Sequence, residues 1–300
     1  MELIPWSHDC AEHFTLRGWR SPASGRPLLH FIHGNGFCTL AYQPLLERLA
    51  VHFDLWLSDV QGHGDSDHGG AFVGWNRSAE LALEAFHAGR GVYGDVPMFA
   101  VGHSFGGVLT GLMLAREPHL FRRAVLLDPV VFSRSMIGVM GVASLFGMHR
   151  RHGLARKAAT RRSFWPDRQA AHDSLQGRGI FKGWNEAALQ AYVDHAIGDC
   201  GEGVVLKCRP SREVEIFSSF PQRMWASLTS IAVPTLVLYG EQTYPFVPLS
   251  LARWARLNRK VEPRKVAGGH CFMQEDPQES AAQIEAWVLE ALTADQVKSA

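Results

Sequence analysis

The sequence predicts an α/β fold in which helices flank a mostly parallel β-sheet. Short apolar runs alternate with longer amphipathic runs along most of the chain, which is the pattern of strands joined by covering helices. Several of the short runs are apolar at every position, as parallel strands covered on both faces are. The alternation stops over residues 131–220. We therefore expect a core built from residues 1–130 and 221–300, with residues 131–220 inserted as a helical cap.

Five apolar runs are the expected strands of the sheet. They read LLHFI, DLWLS, PMFAV, AVLL and PTLVLY, and they occupy residues 28–32, 54–58, 97–101, 124–127 and 234–239. Runs of this length are too short for most helices, and they are flanked by turn-forming residues. A further stretch at 13–19 is expected to be an edge strand of a hairpin.

Amphipathic stretches between these runs are the expected helices. They cover residues 42–51, 76–90, 105–116, 248–257 and 278–292. The 131–220 stretch has helix-like pieces but no clear parallel strand. It begins with an apolar run after Met136, which glycines interrupt, and continues with a basic run from Arg150 to Arg162. We interpret the basic run as a solvated helix face rather than as a surface for anions.

Composition excludes several classes of protein. The 300 residues are 46% hydrophobic and 20% charged, which suffices for a buried core, and 30 basic residues balance 29 acidic ones, so no net field attracts nucleic acid. The first residues lack the basic start of a signal peptide, and no apolar run approaches the ~18 residues of an integral membrane segment. The five cysteines are scattered without metal-ligand spacing. We expect free thiols, a cytoplasmic location, and no metal or cofactor; the oligomeric state is left open.

One motif carries the chemistry. Gly102-His103-Ser104-Phe105-Gly106 follows the expected strand at 97–101 and opens the expected helix at 105–116. A GxSxG sequence in this setting places the serine on a sharp turn with its hydroxyl above the sheet, and glycine avoids collisions between the turn and neighbouring backbone. Ser104 is the candidate nucleophile.

Three further motifs follow the same order as in a known family. HGNG occupies 33–36 after the first apolar strand, GHGDS occupies 62–66 shortly after Asp59, and GGH occupies 268–270 before the last expected helix. With the serine turn, these motifs resemble the α/β-hydrolase superfamily, in particular serine esterases and lipases that carry a cap. The resemblance covers nearly the whole chain. It implies an α/β-hydrolase fold and a nucleophile–acid–histidine order along the sequence.

The resemblance implies the base and the oxyanion hole. His270 is the expected general base for Ser104, since imidazole accepts a proton near neutral pH. The backbone N–H of Phe105 is one expected oxyanion donor. The other is expected from the loop that follows the first apolar strand, where Asn35 is favoured and Gly36 and Phe37 are the alternatives. His33 and the 62–66 turn are expected to be structural.

The acid of the triad departs from the commonest family pattern. That pattern has an aspartate three residues after the glycine that ends the 234–239 strand, and this chain has Thr243 there. Two carboxylates are available instead. Asp128 ends the preceding strand, where some family members place the acid, and it is favoured over Glu241. A Ser-His dyad or an inactive site is the remaining alternative.

The expected activity is hydrolysis of a carboxylic ester through an acyl-enzyme. Phe37, Val131, Phe132 and the apolar run after Met136 would form an apolar pocket for a small-molecule ester, or else belong to the interior of the cap. The same site could cleave a thioester, an amide, a lactone or a carbon–carbon bond. From another class, the protein could be a hydrolase-fold small-molecule binder with little turnover.

Overall fold

The computed structural model describes residues 1–145 and 153–299. Its strands, in chain order, are β1 (Ile4–Cys10), β2 (Phe14–Arg20), β3 (Leu28–Ile32), β4 (Asp54–Ser58), β5 (Met98–His103), β6 (Arg123–Leu127), β7 (Phe164–Trp165), β8 (Ile197–Cys200), β9 (Gly203–Leu206), β10 (Thr235–Gln242) and β11 (Val261–Gly269). Its α-helices are α1 (Gln43–Leu49), α2 (Trp75–Gly89), α3 (Ser104–Arg116), α4 (Arg134–Leu145), α5 (Gly153–Ala159), α6 (Arg168–Leu175), α7 (Glu186–Ala196), α8 (Pro210–Phe217), α9 (Met224–Ser230), α10 (Phe246–Leu257), α11 (Phe272–Glu275) and α12 (Pro277–Ser299).

Eight strands form the central sheet in the order β1-β2-β4-β3-β5-β6-β10-β11. The six strands from β4 to β11 in that order are parallel, while β1 and β2 pair as an antiparallel hairpin and β2 runs antiparallel to β4. The predicted mostly parallel sheet is confirmed. Parallel register brings the carboxyl ends of β3, β5, β6, β10 and β11 to one edge of the sheet.

Helices cover both faces of the sheet, so its middle strands are buried on both sides. All five residues of β3 and of β4 are buried. Leu29 and Phe31 of β3 pack in a core layer with apolar residues of α1 and α12, whereas Leu28 and Ile32 pack with α2, α3, α9 and α10. This alternation between two layers explains why every position of the strand except His30 is apolar.

The 131–220 segment lies between β6 and α9 and is not part of the central sheet. It contains α4 to α8 and a small antiparallel sheet in the order β7-β9-β8. The helices agree with the expectation from sequence, but the three short strands were not predicted. Phe146, Gly147, Met148, Arg150 and Arg151, which belong to the apolar and basic runs, lie outside the described residues. Within the part of the chain that the structure describes, no helix is both long and apolar enough to cross a membrane.

Candidate active site

Ser104 stands at the junction of β5 and α3, in a backbone conformation that side chains rarely adopt. Its φ is +54°, and the residue is 7% exposed. A Cβ at Gly102 would lie 2.5 Å from the Gly106 carbonyl oxygen, and one at Gly106 would lie 2.3 Å from the His33 carbonyl oxygen. Both glycines are therefore needed for the turn to pass so close to its neighbours. The turn raises the Ser104 hydroxyl at the carboxyl edge of the sheet.

His270 meets this hydroxyl from the loop after β11. Its Nε2 lies 2.9 Å from Ser104 Oγ, within hydrogen-bond distance. The loop is held by Glu275, whose carboxylate accepts the N–H of Gly269 at 2.8 Å, and by Gly268 with φ of +99°. The imidazole is 17% exposed, so it faces a partly open site. This geometry allows His270 to take the serine proton.

Asp128 completes the chain of polar contacts from the end of β6. Its Oδ1 lies 3.2 Å from His270 Nδ1, and its side chain is fully buried. The two atoms are at ion-pair distance, but their direction falls outside hydrogen-bond geometry. Contacts in catalytic triads often align only when substrate binds. The carboxylate is oriented by the Gly240 N–H, which donates to Oδ2 at 2.9 Å.

Thr243 and Glu241 occupy different surroundings. The Thr243 hydroxyl donates to Asp128 Oδ1 at 2.5 Å, so the threonine supports the aspartate instead of leaving a gap at the common acid position. Glu241 is exposed on β10, and within the described residues its carboxylate forms no ion pair. The structure thus brings Ser104, His270 and Asp128 together and leaves Glu241 apart from them.

The loop at 33–36 and the first turn of α3 supply candidate oxyanion donors. The N–H of Phe105 lies in the first helical turn, where backbone donors have no intrahelical acceptor. In the loop, Gly36 donates its N–H to His63 Nε2 at 3.0 Å, and Phe37 donates to the Gly34 carbonyl at 3.2 Å. The Asn35 N–H has no acceptor among the described residues. Asn35, rather than its two alternatives, therefore has a free donor.

His33 and His63 support this loop as neutral imidazoles. His33 Nε2 accepts the Val60 N–H at 3.1 Å, and its Nδ1 donates to the Gly34 carbonyl at 2.8 Å. Burial lowers the pKa of His33 to about 4 and holds the pKa of His63 well below its usual value. A neutral imidazole can donate at one nitrogen and accept at the other, which both bridging positions require.

His103 links the serine turn to the histidine loop, a role that the sequence analysis did not predict. Its Nε2 lies 3.1 Å from the His270 carbonyl oxygen, which can only accept, so Nε2 carries the hydrogen. Its Nδ1 then accepts from the Tyr42 hydroxyl at 2.6 Å, and the same hydroxyl accepts the Gly34 N–H at 3.1 Å. Burial, followed by the nearby His270, holds the pKa of His103 well below its usual value.

The predicted pocket residues are all buried, in two groups. Phe37 stacks on Trp184 from the 131–220 segment, at 5.7 Å between ring centroids. Val131 is fully buried, and Phe132 lies between Trp75 and Phe246 at 5.9 and 6.0 Å.

An aromatic row continues from Phe132 to His270. Phe246 stacks on Tyr244 at 5.8 Å, and the Tyr244 ring lies 4.7 Å from the His270 ring. Tyr244 and Phe246 are half-buried, and the sequence analysis missed both. They follow directly after Thr243, so proximity to the expected acid position was the available signal.

The match to known families agrees with this site. A family model described as the alpha/beta hydrolase family matches residues 31–283, which include the serine turn, Asp128 and His270. The chain belongs to the alpha/beta hydrolase family. Among the residues that the structure describes, no group of three or more His, Cys, Asp or Glu side chains is placed to hold a metal ion.

Characterised relatives of this alpha/beta hydrolase are distant. An abhydrolase domain-containing protein of Alternaria alternata is 26% identical over 230 residues, covering 64% of this chain and 83% of its own. Mouse monoglyceride lipase is 27% identical over 124 residues, which is 41% of either chain. A hydrolase of Acinetobacter baylyi, named for (E)-2-((N-methylformamido)methylene)succinate, is 29% identical over 129 residues, covering 43% of this chain and 45% of its own.

Solved structures share the fold. An E-2-(acetamidomethylene)succinate hydrolase superposes with a TM-score of 0.75 at 19% identity, covering 96% of this chain and 100% of its own. The peroxisomal alpha-beta-hydrolase Lpx1 of Saccharomyces cerevisiae superposes with a TM-score of 0.76 at 18% identity, covering 98% and 89%. The predicted α/β-hydrolase fold is confirmed, and the protein is a member of a hydrolase family.

Proposed function

We propose that this protein is a serine hydrolase that cleaves a carboxylic ester through an acyl-enzyme intermediate. One observation carries the proposal: Ser104 Oγ, His270 and Asp128 form a continuous chain, with separations of 2.9 Å and 3.2 Å, at the carboxyl edge of the sheet. A serine hydroxyl is a weak nucleophile until an adjacent base accepts its proton, and the base needs a group that stabilises its charged form. Each need has a residue in place.

The proposed reaction has two halves. Ser104 Oγ bonds to the ester carbonyl carbon while its proton passes to His270 Nε2, and the carbonyl oxygen becomes an oxyanion. The Asn35 and Phe105 N–H groups hold that oxyanion, and Asp128 stabilises the imidazolium. The alcohol leaves with the proton from His270. Water then attacks the acyl-enzyme carbonyl while His270 accepts its proton. The bond from the acyl carbon to Ser104 Oγ breaks, His270 returns the proton to Oγ, and the carboxylic acid is released.

An apolar small-molecule ester is the proposed substrate. The aromatic row from Phe132 through Phe246 to Tyr244 ends against His270, so an apolar group bound along it would lie beside the reacting atoms. Arg161 approaches the loop at 33–36, which we call the oxyanion loop, and is paired with Glu213 at 2.7 Å. Its charge is already balanced, which favours an uncharged substrate over an acidic one.

Two further parts of the proposal concern the 131–220 segment and the location. We propose that this segment is a cap over the site, because two of its residues, Phe132 and Trp184, form part of the aromatic lining described above. We include a cytoplasmic location because all five cysteines are unpaired thiols, which suits a reducing compartment.

A serine probe and an ester panel test the proposal. A fluorophosphonate should label the wild-type protein, and aryl esters of two to twelve acyl carbons should be hydrolysed. Ser104→Ala should abolish labelling and reduce turnover by roughly three or more orders of magnitude, because it removes the nucleophile. Ser230→Ala, at an exposed serine of α9, is the matched control and should behave as wild type. Retention of more than a tenth of the turnover in Ser104→Ala would refute the assignment.

A further inference from the structure

Three side chains of the 131–220 segment contact the oxyanion loop from outside the central sheet. Arg161 follows α5, Tyr192 belongs to α7 and Glu213 belongs to α8, so each comes from a different element. They approach the loop at Asn35 and Gly36. None of them belongs to the chain of contacts from Ser104 to Asp128, and the reaction proposed above does not use them directly.

Polar contacts join the three side chains to one another. Arg161 Nη1 donates to Glu213 Oε1 at 2.7 Å, and Arg161 Nη2 donates to the Tyr192 hydroxyl oxygen at 2.5 Å. Burial raises the pKa of Tyr192, so the phenol keeps its proton. Because the guanidinium can only donate, the Tyr192 O–H must point elsewhere.

Two hydrogen bonds join these residues to the loop, one from the Tyr192 side chain and one to the backbone of Glu213. The Tyr192 O–H donates to the Gly36 carbonyl at 3.1 Å, and Asn35 Nδ2 donates to the Glu213 carbonyl oxygen at 3.3 Å. These bonds hold the Asn35 side chain and the Gly36 carbonyl, so the loop is anchored at two consecutive residues. They therefore restrict the direction of the Asn35 backbone N–H.

Close packing reinforces the hydrogen bonds. Gly36 has φ of +81°, and a Cβ there would lie 2.9 Å from the Glu213 carboxylate carbon and 3.1 Å from Arg161 Nη1. The loop thus lies directly against the ion pair. Only glycine allows both this backbone conformation and this approach.

Stability alone does not account for this arrangement. The Arg161 and Glu213 side chains are only 16% and 6% exposed. Removing two charges from water costs several kcal/mol for each ion, and apolar residues of similar volume often stabilise a fold as well or better. What the charged group supplies is a fixed orientation of its members. Each hydrogen bond has one donor and one acceptor, and the bonds run from Glu213 through Arg161 and Tyr192 to the oxyanion loop.

We propose that Arg161, Tyr192 and Glu213 are positioning residues that aim the Asn35 N–H at the developing oxyanion. This inference rests on the proposed ester hydrolysis. It makes the 131–220 segment a working part of the oxyanion hole, in addition to any role in covering the substrate. A displacement of this segment would loosen the donor even if Ser104, His270 and Asp128 stayed in place.

Tyr192→Phe is the sharpest test because it removes one hydroxyl and keeps the ring. Deleting an oxyanion donor outright costs about 10²–10³ in kcat, so loosening it should lower kcat by roughly ten- to a hundredfold. KM for the same aryl ester should stay within about threefold. Affinity for an aryl trifluoromethyl ketone, which forms an oxyanion on the serine, should fall in parallel with kcat.

Tyr93→Phe is the matched control. The Tyr93 hydroxyl is also buried and also donates to a backbone carbonyl, that of Ser21 at 2.8 Å, but it belongs to a different part of the fold. It should lower the denaturant midpoint as Tyr192→Phe does and leave kcat and ketone affinity unchanged. Equal kinetic losses in the two variants, or a Tyr192→Phe kcat within twofold of wild type, would overturn the inference.

Glu213→Gln supplies a second variant that keeps the shape of the side chain. It should lower kcat in the same direction, and the double variant with Tyr192→Phe should lose less than the product of the single losses, since both act on one loop. Independent, multiplying losses would count against a shared role. The two proposals fail differently. If the wild-type protein does not hydrolyse esters, both the proposed function and the positioning role are refuted. If turnover depends on Ser104 but is unchanged in Tyr192→Phe, only the positioning role is refuted.

Discussion

At the scale of single residues, strained backbone marks the candidate site. Among the described residues, four that are not glycine have positive φ, and two of them are Ser104 at +54° and Asp128 at +43°. Such conformations cost of order 1–3 kcal/mol each and persist where the surrounding structure enforces them. Here the strain directs one side chain from the end of β5 and another from the end of β6 towards the same imidazole.

Thr243 lies where the resemblance to the family implies an acid, and it contacts the carboxylate of Asp128 instead. Thr243 donates its hydroxyl to Asp128 Oδ1, and the Gly240 N–H donates to Oδ2. Two donors, one on each oxygen, fix the direction of the buried carboxylate. The residue at 243 therefore helps to hold the acid instead of supplying it.

Asp128→Asn should reduce ester turnover by up to about four orders of magnitude, because the imidazolium loses its stabilising charge. Unfolding midpoints should change little, since asparagine keeps the shape. Glu241→Gln, at the exposed carboxylate of β10, is the control and should have near-normal kcat. Adding Thr243→Asp to Asp128→Asn should restore part of the activity by returning a carboxylate to the neighbourhood. If Glu241→Gln were the crippling change and Asp128→Asn mild, the acid would be misassigned.

Short motifs made part of the candidate site predictable. Ser104, His270, Asn35 and Phe105 lie within or beside glycine-rich turns whose sequence reflects a backbone requirement. Tyr192 was not predicted, and the interpretation of the basic run as a solvated helix face is wrong for Arg161, which follows α5 and is buried against Glu213. Each approaches the loop from a helix-rich segment more than 120 residues away. A single arginine or tyrosine carries no local sign of such a partner.

At the scale of elements, burial decided which strands could be predicted. β3 and β4 were predicted with the bounds they have, because both faces of each are covered and every residue is buried. β1 and β11 were not predicted. Both are edge strands, and their residues alternate between partly buried and exposed, so polar side chains interrupt any apolar run.

The small sheet of the 131–220 segment was missed for a related reason. Its strands have only two to four residues. β8 and β9 are neighbours in the chain, but β7 pairs with β9 across α6 and α7. Two to four residues are too few to establish a period of two against the surrounding helical pattern.

Phe132 offers a test of whether the 131–220 segment selects the acyl group. It lies between Trp75 and Phe246 in the aromatic row that leads to His270. Phe132→Leu should therefore change the ratio of kcat/KM between an octanoate and an acetate ester by roughly threefold or more. Loss of about one methylene's contact is worth of order 1 kcal/mol, which corresponds to a change of this size.

Phe121→Leu is the control for that measurement. Phe121 is equally buried but stacks on Phe86 in the interior away from the row. It should destabilise the fold by a similar amount and leave the ratio of the two esters unchanged. Equal slowing of both esters in Phe132→Leu would show that this residue supports the fold without selecting the acyl group.

At the scale of the whole molecule, four buried and uncharged histidines lie in or beside the parallel sheet. His30, His33, His63 and His103 are all buried, and they lie on β3, on the two loops beside it and at the end of β5. Burial lowers the pKa of His30 to about 3 and that of His33 to about 4, and it holds the pKa values of His63 and His103 well below their usual range. The folded protein therefore keeps them uncharged in weak acid.

Asp59 has the opposite effect on the pH dependence. Burial raises the pKa of its carboxyl to about 6, although hydrogen bonds from Thr39 oppose the shift. Between its unfolded pKa near 4 and about pH 6, the folded protein holds one proton more at Asp59 than the unfolded chain does. Asp59 therefore stabilises the fold as the pH falls through that interval, and so does Glu213, whose carboxyl pKa burial also raises; the four histidines do the reverse.

The free energy of unfolding should therefore decrease as the pH is lowered from 7.5 to 5. Below pH 6.5 the unfolded chain takes up a proton at each of the four histidines, while the folded protein does not, so acid favours unfolding. Each excess proton in the unfolded state contributes a slope of about 1.4 kcal/mol per pH unit, and Asp59 cancels about one of the four. Urea midpoints measured at pH 7.5, 6.5, 5.5 and 5 should fall most steeply below pH 6.5.

His30→Phe, which places a ring between Phe86 and Phe121 where the imidazole now lies, removes one of these protons and should make the dependence shallower. Midpoints that stay constant across this range in the wild-type protein would show that the buried histidines are not held neutral by the fold.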